Sequence, residues 1–149
     1  MASVTINDIL HRAQEFELRL ERYYAGLRDT TEDNGVKLLT YYLSRHRRHL
    51  EHALEGLELE GIRRVRRVRL KVDVPFEPVT VIMDAAPSEV RGTALLQAAV
   101  EHDMQLASYY RKVSEQSLGP EASGFIESLI RLEEKDIVML KKMIAMNYF

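Results

Sequence analysis

The chain contains no cysteine. Disulfide bonds, metal sites built from thiolates and a cysteine nucleophile are therefore excluded. The sequence also lacks an apolar run that could cross a bilayer, and it has no charged start followed by a long apolar stretch of the kind that marks a signal peptide. We therefore expect a cytoplasmic protein with no membrane partner.

Neither sign of charge is in large excess. The 149 residues include 21 Lys and Arg against 23 Asp and Glu, which leaves a net charge of -2. This balance gives no general reason to expect nucleic acid or an anionic membrane as a partner. Apolar residues make up 46% and charged residues 30% of the chain, as in a soluble globular protein. At this length we expect one domain over residues 1–149.

Two stretches repeat one pattern of residue types 86 positions apart. Their seam residues recur at alternating spacings of three and four, the period of a helix face that packs against other helices. At the same point of each stretch a carboxylate, Glu17 or Asp103, stands where an apolar residue is expected. The two seams are Leu10, Ala13, Glu17, Leu20, Tyr24 and Leu27, and Leu96, Ala99, Asp103, Leu106, Tyr110 and Val113.

A second pair of seams lies 87 positions apart, and each of its members contains two polar residues. His46 and His49 occupy one seam, and Glu133 and Asp136 occupy the other, three positions apart in both cases. This spacing places both side chains on one face of a helix. The two seams are Leu39, Tyr42, His46, His49, Ala53 and Gly56, and Ile126, Leu129, Glu133, Asp136, Leu140 and Met143.

Turn signals divide the chain into four helices. Residues 29–35 and the Gly119-Pro120 pair mark two short turns, whereas residues 68–74 alternate apolar and polar side chains and indicate an extended segment. The predicted helices cover about 5–29, 33–61, 88–117 and 121–145, with a crossover over about 62–87. The sequence therefore predicts an all-α fold, a four-helix bundle of two helical hairpins joined by a long crossover between helices two and three.

The two short turns lie midway between Glu17 and His46 and between Asp103 and Glu133. In each antiparallel helix pair the polar seam residues therefore lie at one height. Four carboxylates that converge in an interior cannot all stay ionised without compensating cations. Two divalent metal ions would neutralise them, and the alternatives are protonated histidines, arginines that reach inward, or water.

The pattern Leu-x-x-Ala-x-x-x-Glu-x-x-x-x-x-x-Tyr-x-x-Leu at residues 10–27, its echo at 96–113, and Glu133-x-x-Asp136 ahead of Leu140 resemble the ferritin-like superfamily, and most of all its rubrerythrin branch. In that family, helices one and three each supply a glutamate. Helices two and four each supply Glu-x-x-His, so that two metal ions are held by four carboxylates and two histidines. The resemblance implies a ferritin-like bundle with a metal centre.

By position, the resemblance assigns the metal ligands to Glu17, His46, His49, Asp103, Glu133 and Asp136. The motif is altered because the chain contains no Glu-x-x-His, although the total of four carboxylates and two histidines is unchanged. An imidazole offers one nitrogen to one metal, so only Glu133 remains to bridge two ions. Whether the protein is an enzyme is left open. Iron is the favoured ion, and manganese and zinc accept the same donors. Redox or oxidative-stress chemistry is one use that the resemblance implies.

One basic run supports a different function. From Arg63 to Lys71 the chain carries five arginines and one lysine, which could bind an acidic protein partner. Nucleic acid is not expected there, because no aromatic residue interleaves with the basic ones. The alternative hypothesis is thus a metal-free ferritin-like module for dimerisation or docking. A homodimer could form through outward tyrosine rings, or through residues 68–74 if this segment pairs with its copy in a second subunit.

The remaining aromatic and imidazole side chains are expected outside the centre. We predict that each tyrosine doublet, at 23–24, 41–42 and 109–110, places one ring inward and one outward. His11, His52 and His102 are predicted at or near the surface.

Overall fold

The computed structural model describes residues 3–81 and 85–146, without the side chain of Arg47. Within these residues the fold is all-helical, and its β pairing is limited to one isolated bridge between Thr5 and Arg69. Two short 3-10 turns cover Ser44–Arg47 and Pro87–Glu89. The α-helices are α1 (Ile6–Thr30), α2 (Asn34–Leu43), α3 (Arg48–Glu55), α4 (Leu59–Arg67), α5 (Gly92–Ser114) and α6 (Pro120–Ala145).

Thr5 starts helix α1 with a reciprocal cap. Its hydroxyl accepts a hydrogen bond from the Asp8 N–H at 3.3 Å, and the Asp8 carboxylate accepts one from the Thr5 N–H at 2.9 Å. Both backbone groups would otherwise lack a partner in the first helical turn. The helix then buries the whole of the first seam, including Glu17.

The second predicted helix, over about 33–61, is divided in the structure. Asp33 caps α2, but the Ser44 hydroxyl donates to the Thr40 carbonyl oxygen at 2.7 Å, where the chain tightens into a 3-10 turn. Hydroxyl bonds of this kind compete with the helical ladder and bend it. The helix resumes as α3 and ends at Glu55, just before Gly56, because glycine disfavours a helix interior.

A further helix, which the sequence does not predict, begins at the end of the second predicted helix and extends into the predicted crossover over about 62–87. Helix α4 occupies Leu59–Arg67 and buries Gly61 and Val65, and it packs against α1 and α6. These two positions are four apart, which is too short an apolar stripe to stand out from the surrounding arginines. The third predicted helix, expected to start around Ser88 or Thr93, begins at Gly92.

The extended segment after α4 pairs within its own chain. The Ile6 N–H donates to the Val68 carbonyl oxygen and the Leu70 N–H donates to the Val4 carbonyl oxygen, both at 2.8 Å. The amide of Gln116 then accepts from the Val72 N–H and donates to the Val72 carbonyl oxygen. Main-chain groups of Val68, Leu70 and Val72 thus already have partners within the chain, and the pairing of residues 68–74 with a second subunit stays a prediction.

The core is formed mainly by the predicted seams. Helices α5 and α6 pack along each other most extensively, α1 contacts α2, and α6 also contacts α3. All six residues of the α5 seam are buried. On α6 the burial of the seam decreases toward the end of the helix, since Leu140 is buried and Met143 is half-buried.

Two expectations about α5 are wrong, and both have one cause. The sequence predicts outward positions for His102 and Tyr109, yet their side chains are 2% and 3% exposed. The crossover covers this side of α5: the Phe76 ring stacks on Tyr109 with centroids 4.3 Å apart, and the Val81 N–H donates to His102 Nε2 at 3.0 Å. His52 is exposed, as predicted.

No helix in the described ranges combines the length and the apolar character that a bilayer crossing requires.

Candidate metal centre

The helices bring the six predicted ligands together in the interior. Glu17, Asp103 and Glu133 are buried, and the other three are half-buried. They come from five different helical segments. We call this set the central cluster, and its members are Glu17 in α1, His46 in the 3-10 turn, His49 in α3, Asp103 in α5, and Glu133 and Asp136 in α6.

His46 lies at the middle of the cluster. Its Nε2 is 2.6 Å from Glu133 Oε2 and 2.8 Å from Asp103 Oδ1, and its Nδ1 is 3.3 Å from Glu17 Oε1. One imidazole therefore touches carboxylates from three helices. No other histidine in residues 3–81 and 85–146 has so many acidic neighbours within ion-pair distance.

The break in the second helix positions the two histidines. His46 lies in the 3-10 turn and His49 in the first turn of α3, three residues further along the chain. Their rings approach to 4.2 Å between centroids. His49 Nδ1 lies 3.5 Å from Glu133 Oε1, so both imidazoles face the same buried carboxylate.

Potential ligand atoms fall into two groups of three that share His46. One group is Glu17, His46 and Glu133, and the other is His46, His49 and Asp136. Within each group the nitrogen and oxygen atoms lie within 4.8 Å of one another. Atoms bound to one ion at about 2.1 Å lie roughly 3.0 to 3.4 Å apart. Side-chain adjustments on the order of 1 Å would therefore allow coordination.

The charges of the cluster are strongly coupled. Burial disfavours the charged imidazole of His46, but the attraction of Glu133 and Asp103 outweighs burial and raises its pKa well above the ordinary value. Burial likewise favours neutral Glu133, yet the charge and hydrogen bond of His46 lower its pKa. Burial and a hydrogen bond with Asp103 raise the pKa of Asp136 to about 8. Without a metal, protons on His46 and Asp136 thus compensate part of the negative charge at neutral pH.

Protonation alone still leaves a buried polar atom of the cluster without a hydrogen-bond partner. His46 Nδ1 is a buried atom with no hydrogen bond to any described residue. His46 Nδ1 is close to Glu17, but the contact lacks hydrogen-bond geometry. Buried polar atoms without partners are rare and point to an ion, a water or a function. The residues present thus fit a divalent ion, which would supply positive charge beside Asp103 and the other carboxylates.

A cavity of about 270 Å³ adjoins the cluster. Tyr24, Tyr42 and His102 line it together with five members of the cluster, while Glu133 lies behind them. Such a space holds an ion with water or another small ligand. The cluster is therefore buried but can be reached from one side.

His102 is the cavity residue that sequence reasoning placed wrongly. Its Nε2 accepts a hydrogen bond from Val81, so the neutral ring carries its hydrogen on Nδ1, which has no partner among the described residues. Burial and the charge of His46 lower its pKa to about 4. A neutral donor thus faces the cavity. No periodicity could have revealed it, because its burial depends on the crossover.

No protein-family model, curated protein or solved structure shows a significant match to this chain. What the central cluster does is therefore inferred from its own geometry.

Proposed function

We propose that this protein binds a divalent transition metal ion through the central cluster. The observation that carries this proposal is the position of His46, whose two ring nitrogens contact carboxylates of three different helices in the interior. Taking several charged groups out of water is unfavourable unless their partners are complete. A divalent ion would replace the protons of His46 and Asp136 without changing the net charge of the cluster.

The donor set supports a first-row metal. Two imidazoles and four carboxylates form a mixture of nitrogen and oxygen donors that iron, manganese and zinc all accept. We favour iron, on the resemblance of the seams to those of the ferritin-like superfamily. No thiolate can contribute, since the chain has no cysteine.

We further propose a ferritin-like arrangement of the helices. Its four members would be α1, the interrupted helix made of α2 and α3, α5, and α6. Short connections within each pair and the long connection that carries α4 support this arrangement. Redox chemistry at the centre belongs to the same proposal, as does a homodimer.

A metal-binding protein and a metal-free module should give different results in one titration. Metal-free protein, prepared without an affinity tag, is titrated with Mn²⁺, Zn²⁺ and, without oxygen, Fe²⁺, and binding and melting temperature are measured. At a metal concentration near 100 times the dissociation constant, we expect stabilisation of about 2.7 kcal/mol. For a chain of this size that raises the melting temperature by roughly 5 to 10 °C.

Two variants at neighbouring positions distinguish metal binding at the central cluster from metal binding at the surface. Glu133→Gln should abolish the gain in melting temperature, because it removes the carboxylate that both histidines face. Glu134→Gln should keep it, because Glu134 is exposed and pairs with Arg111. Binding of less than about 0.1 equivalent of every metal, with no gain in melting temperature, would leave the metal-free module as the function.

A further inference from the structure

Four arginines surround one concave surface away from the central cluster. Arg63, Arg66 and Arg67 of α4 and Arg69 of the following segment line a cavity of about 530 Å³, together with Thr5 and Asn7 at the start of α1. We call these six residues the arginine groove. Among the described residues, no aspartate or glutamate lines it.

Two local features produce the groove. Arg63, Arg66 and Arg67 are spaced three and four apart, so they extend from one side of α4 while Val65 packs inward. The backbone of Arg69 then pairs with Thr5, which holds the extended segment beside the start of α1. The groove thus combines one side of α4 with the segment beside the start of α1.

The arginines of the basic run have different partners. Arg64 lies outside the groove and forms two hydrogen bonds to Glu121, both 3.0 Å long, so a structural role accounts for it. In the groove, Arg66 donates to the neutral amide oxygen of Asn7 at 2.7 Å. Arg67 and Arg69 form no ion pair with the residues that the structure describes, whereas Arg63 pairs with Glu60 at the surface.

The groove therefore has an excess of positive charge that its own surroundings do not neutralise. The pair of Arg63 with Glu60 is exposed on both sides, and such pairs are weak and easily exchanged. At the start of α1 the Ile6 N–H already donates to the Val68 carbonyl oxygen and the Asp8 N–H to the Thr5 hydroxyl, so the guanidinium groups are the groove's main available donors. Planar guanidinium groups match the oxygen atoms of phosphate.

We propose that the arginine groove binds the phosphate groups of a small diphosphate or triphosphate compound. Its volume lies in the range of small-molecule sites, about 300 to 1,000 Å³. Four guanidinium groups around one space suit a compact ligand with several charges. A duplex nucleic acid or an acidic protein would need a longer basic face, and Glu58 and Glu60 precede this one.

Inorganic pyrophosphate is the probe for this proposal. It is titrated calorimetrically into the metal-free full chain after the chelator has been dialysed away, because pyrophosphate binds metals and chelators are themselves polyanions. We expect saturable binding of one pyrophosphate per chain at physiological ionic strength, with phosphate and sulfate at least about tenfold weaker. Absence of saturable binding would overturn the proposal.

Two variants with the same change of charge test the location. Arg67→Gln should weaken pyrophosphate binding about tenfold, whereas Arg64→Gln should weaken it less than about twofold. Unchanged circular dichroism and melting temperature check that both variants fold. Equal losses would overturn the proposal, since they would indicate general attraction by surface charge.

Further titrations identify the source of the phosphates. A nucleoside triphosphate that binds as tightly as pyrophosphate would support the groove as a nucleotide phosphate site, and one that does not bind would restrict it to inorganic ligands. Vesicles with phosphorylated inositol headgroups should compete with pyrophosphate only if a lipid supplies the same chemistry. Binding to vesicles, duplex DNA or an acidic peptide without any binding of pyrophosphate would contradict a small-molecule site.

Discussion

The central cluster and the arginine groove both gather charge, but they do so in different surroundings. In the cluster, carboxylates and imidazoles from five helical segments contact one another where Glu133 is 1% exposed. In the groove, Arg63, Arg67 and Arg69 are exposed and Arg66 is half-buried. Water compensates the groove, whereas the cluster must find its compensation within the protein or in a bound ion.

This difference determines how each region should respond to change. Removing one partner from a buried network leaves the others without compensation, so it should affect folding as well as binding. Removing an exposed arginine should affect only the affinity for a ligand, and salt should weaken that affinity. The following expectations test this contrast.

The largest effect should come from the imidazole that touches three carboxylates. In metal-free protein, His46→Ala should lower the free energy of unfolding by about 3 kcal/mol or more, and the melting temperature by roughly 6 to 12 °C. His52→Ala is the matched control, since His52 is exposed and pairs with Glu55 at the surface. Similar melting temperatures for the two variants would show that His46 does not compensate the cluster.

The next effect is on the pH dependence of stability. The folded pKa of His46 lies above its ordinary value, and that of Asp136 is raised to about 8. Folded metal-free protein thus holds protons that the unfolded chain has released, so its stability should fall as pH rises from about 6.5 to 9, by up to about 1.4 kcal/mol per pH unit for each such proton. His102, whose pKa is lowered to about 4, acts oppositely below pH 6.5.

Metal should reverse this trend, because it competes with the same protons. The gain in melting temperature on adding Mn²⁺ or Zn²⁺ should therefore be larger at pH 8 than at pH 6. Denaturant unfolding at both pH values, with and without metal, measures this difference. A gain that shrinks as pH rises would contradict ligation by His46 and Asp136.

A smaller effect is expected where the crossover covers α5. The Gln105 amide exchanges two hydrogen bonds with the backbone of Val79, two residues before the N–H that binds His102. Gln105→Ala should reduce the free energy of unfolding by about 1 kcal/mol and speed hydrogen exchange at the Val81 N–H. Gln97→Ala, at an exposed position of the same helix, should do neither. Equal exchange rates at the Val81 N–H in the two variants would show that the Gln105 hydrogen bonds do not hold Val81 against His102.

The smallest effect concerns Arg64, the arginine that faces away from the groove. Its pair with Glu121 is exposed on both sides. Such pairs add little to stability. Arg64→Gln should leave the melting temperature unchanged within error in thermal unfolding. A marked decrease would mean that α4 depends on this contact.

Helical periodicity was sufficient to identify the buried faces and the six polar residues that meet between them. Seam positions such as Leu96, Leu106 and Leu129 are buried, because spacings of three and four define a helix face whatever its neighbours. The same pattern could not reveal the division of the second helix. That division depends on a hydroxyl bond of Ser44 and on Gly56, which are local competitors of a continuous helix.

Residues governed by the crossover were beyond sequence reasoning. His102 and Tyr109 occupy helix positions that solvent would reach if the crossover ran elsewhere. Their burial comes from contacts with Val81 and Phe76, which are separated from them by more than twenty residues. Tertiary contacts of this kind override a helix pattern, and one sequence does not specify them in advance.

Anomalous scattering from crystals grown with Mn²⁺, Fe²⁺ or Zn²⁺ tests the central claim most directly. We predict a peak among His46, Glu133 and the remaining cluster residues, with His46 Nε2 and Glu133 Oε2 further apart than their present 2.6 Å because an ion lies between them. Data measured at the absorption edge of the added metal that show no peak there, with the contact between His46 and Glu133 intact, would contradict it.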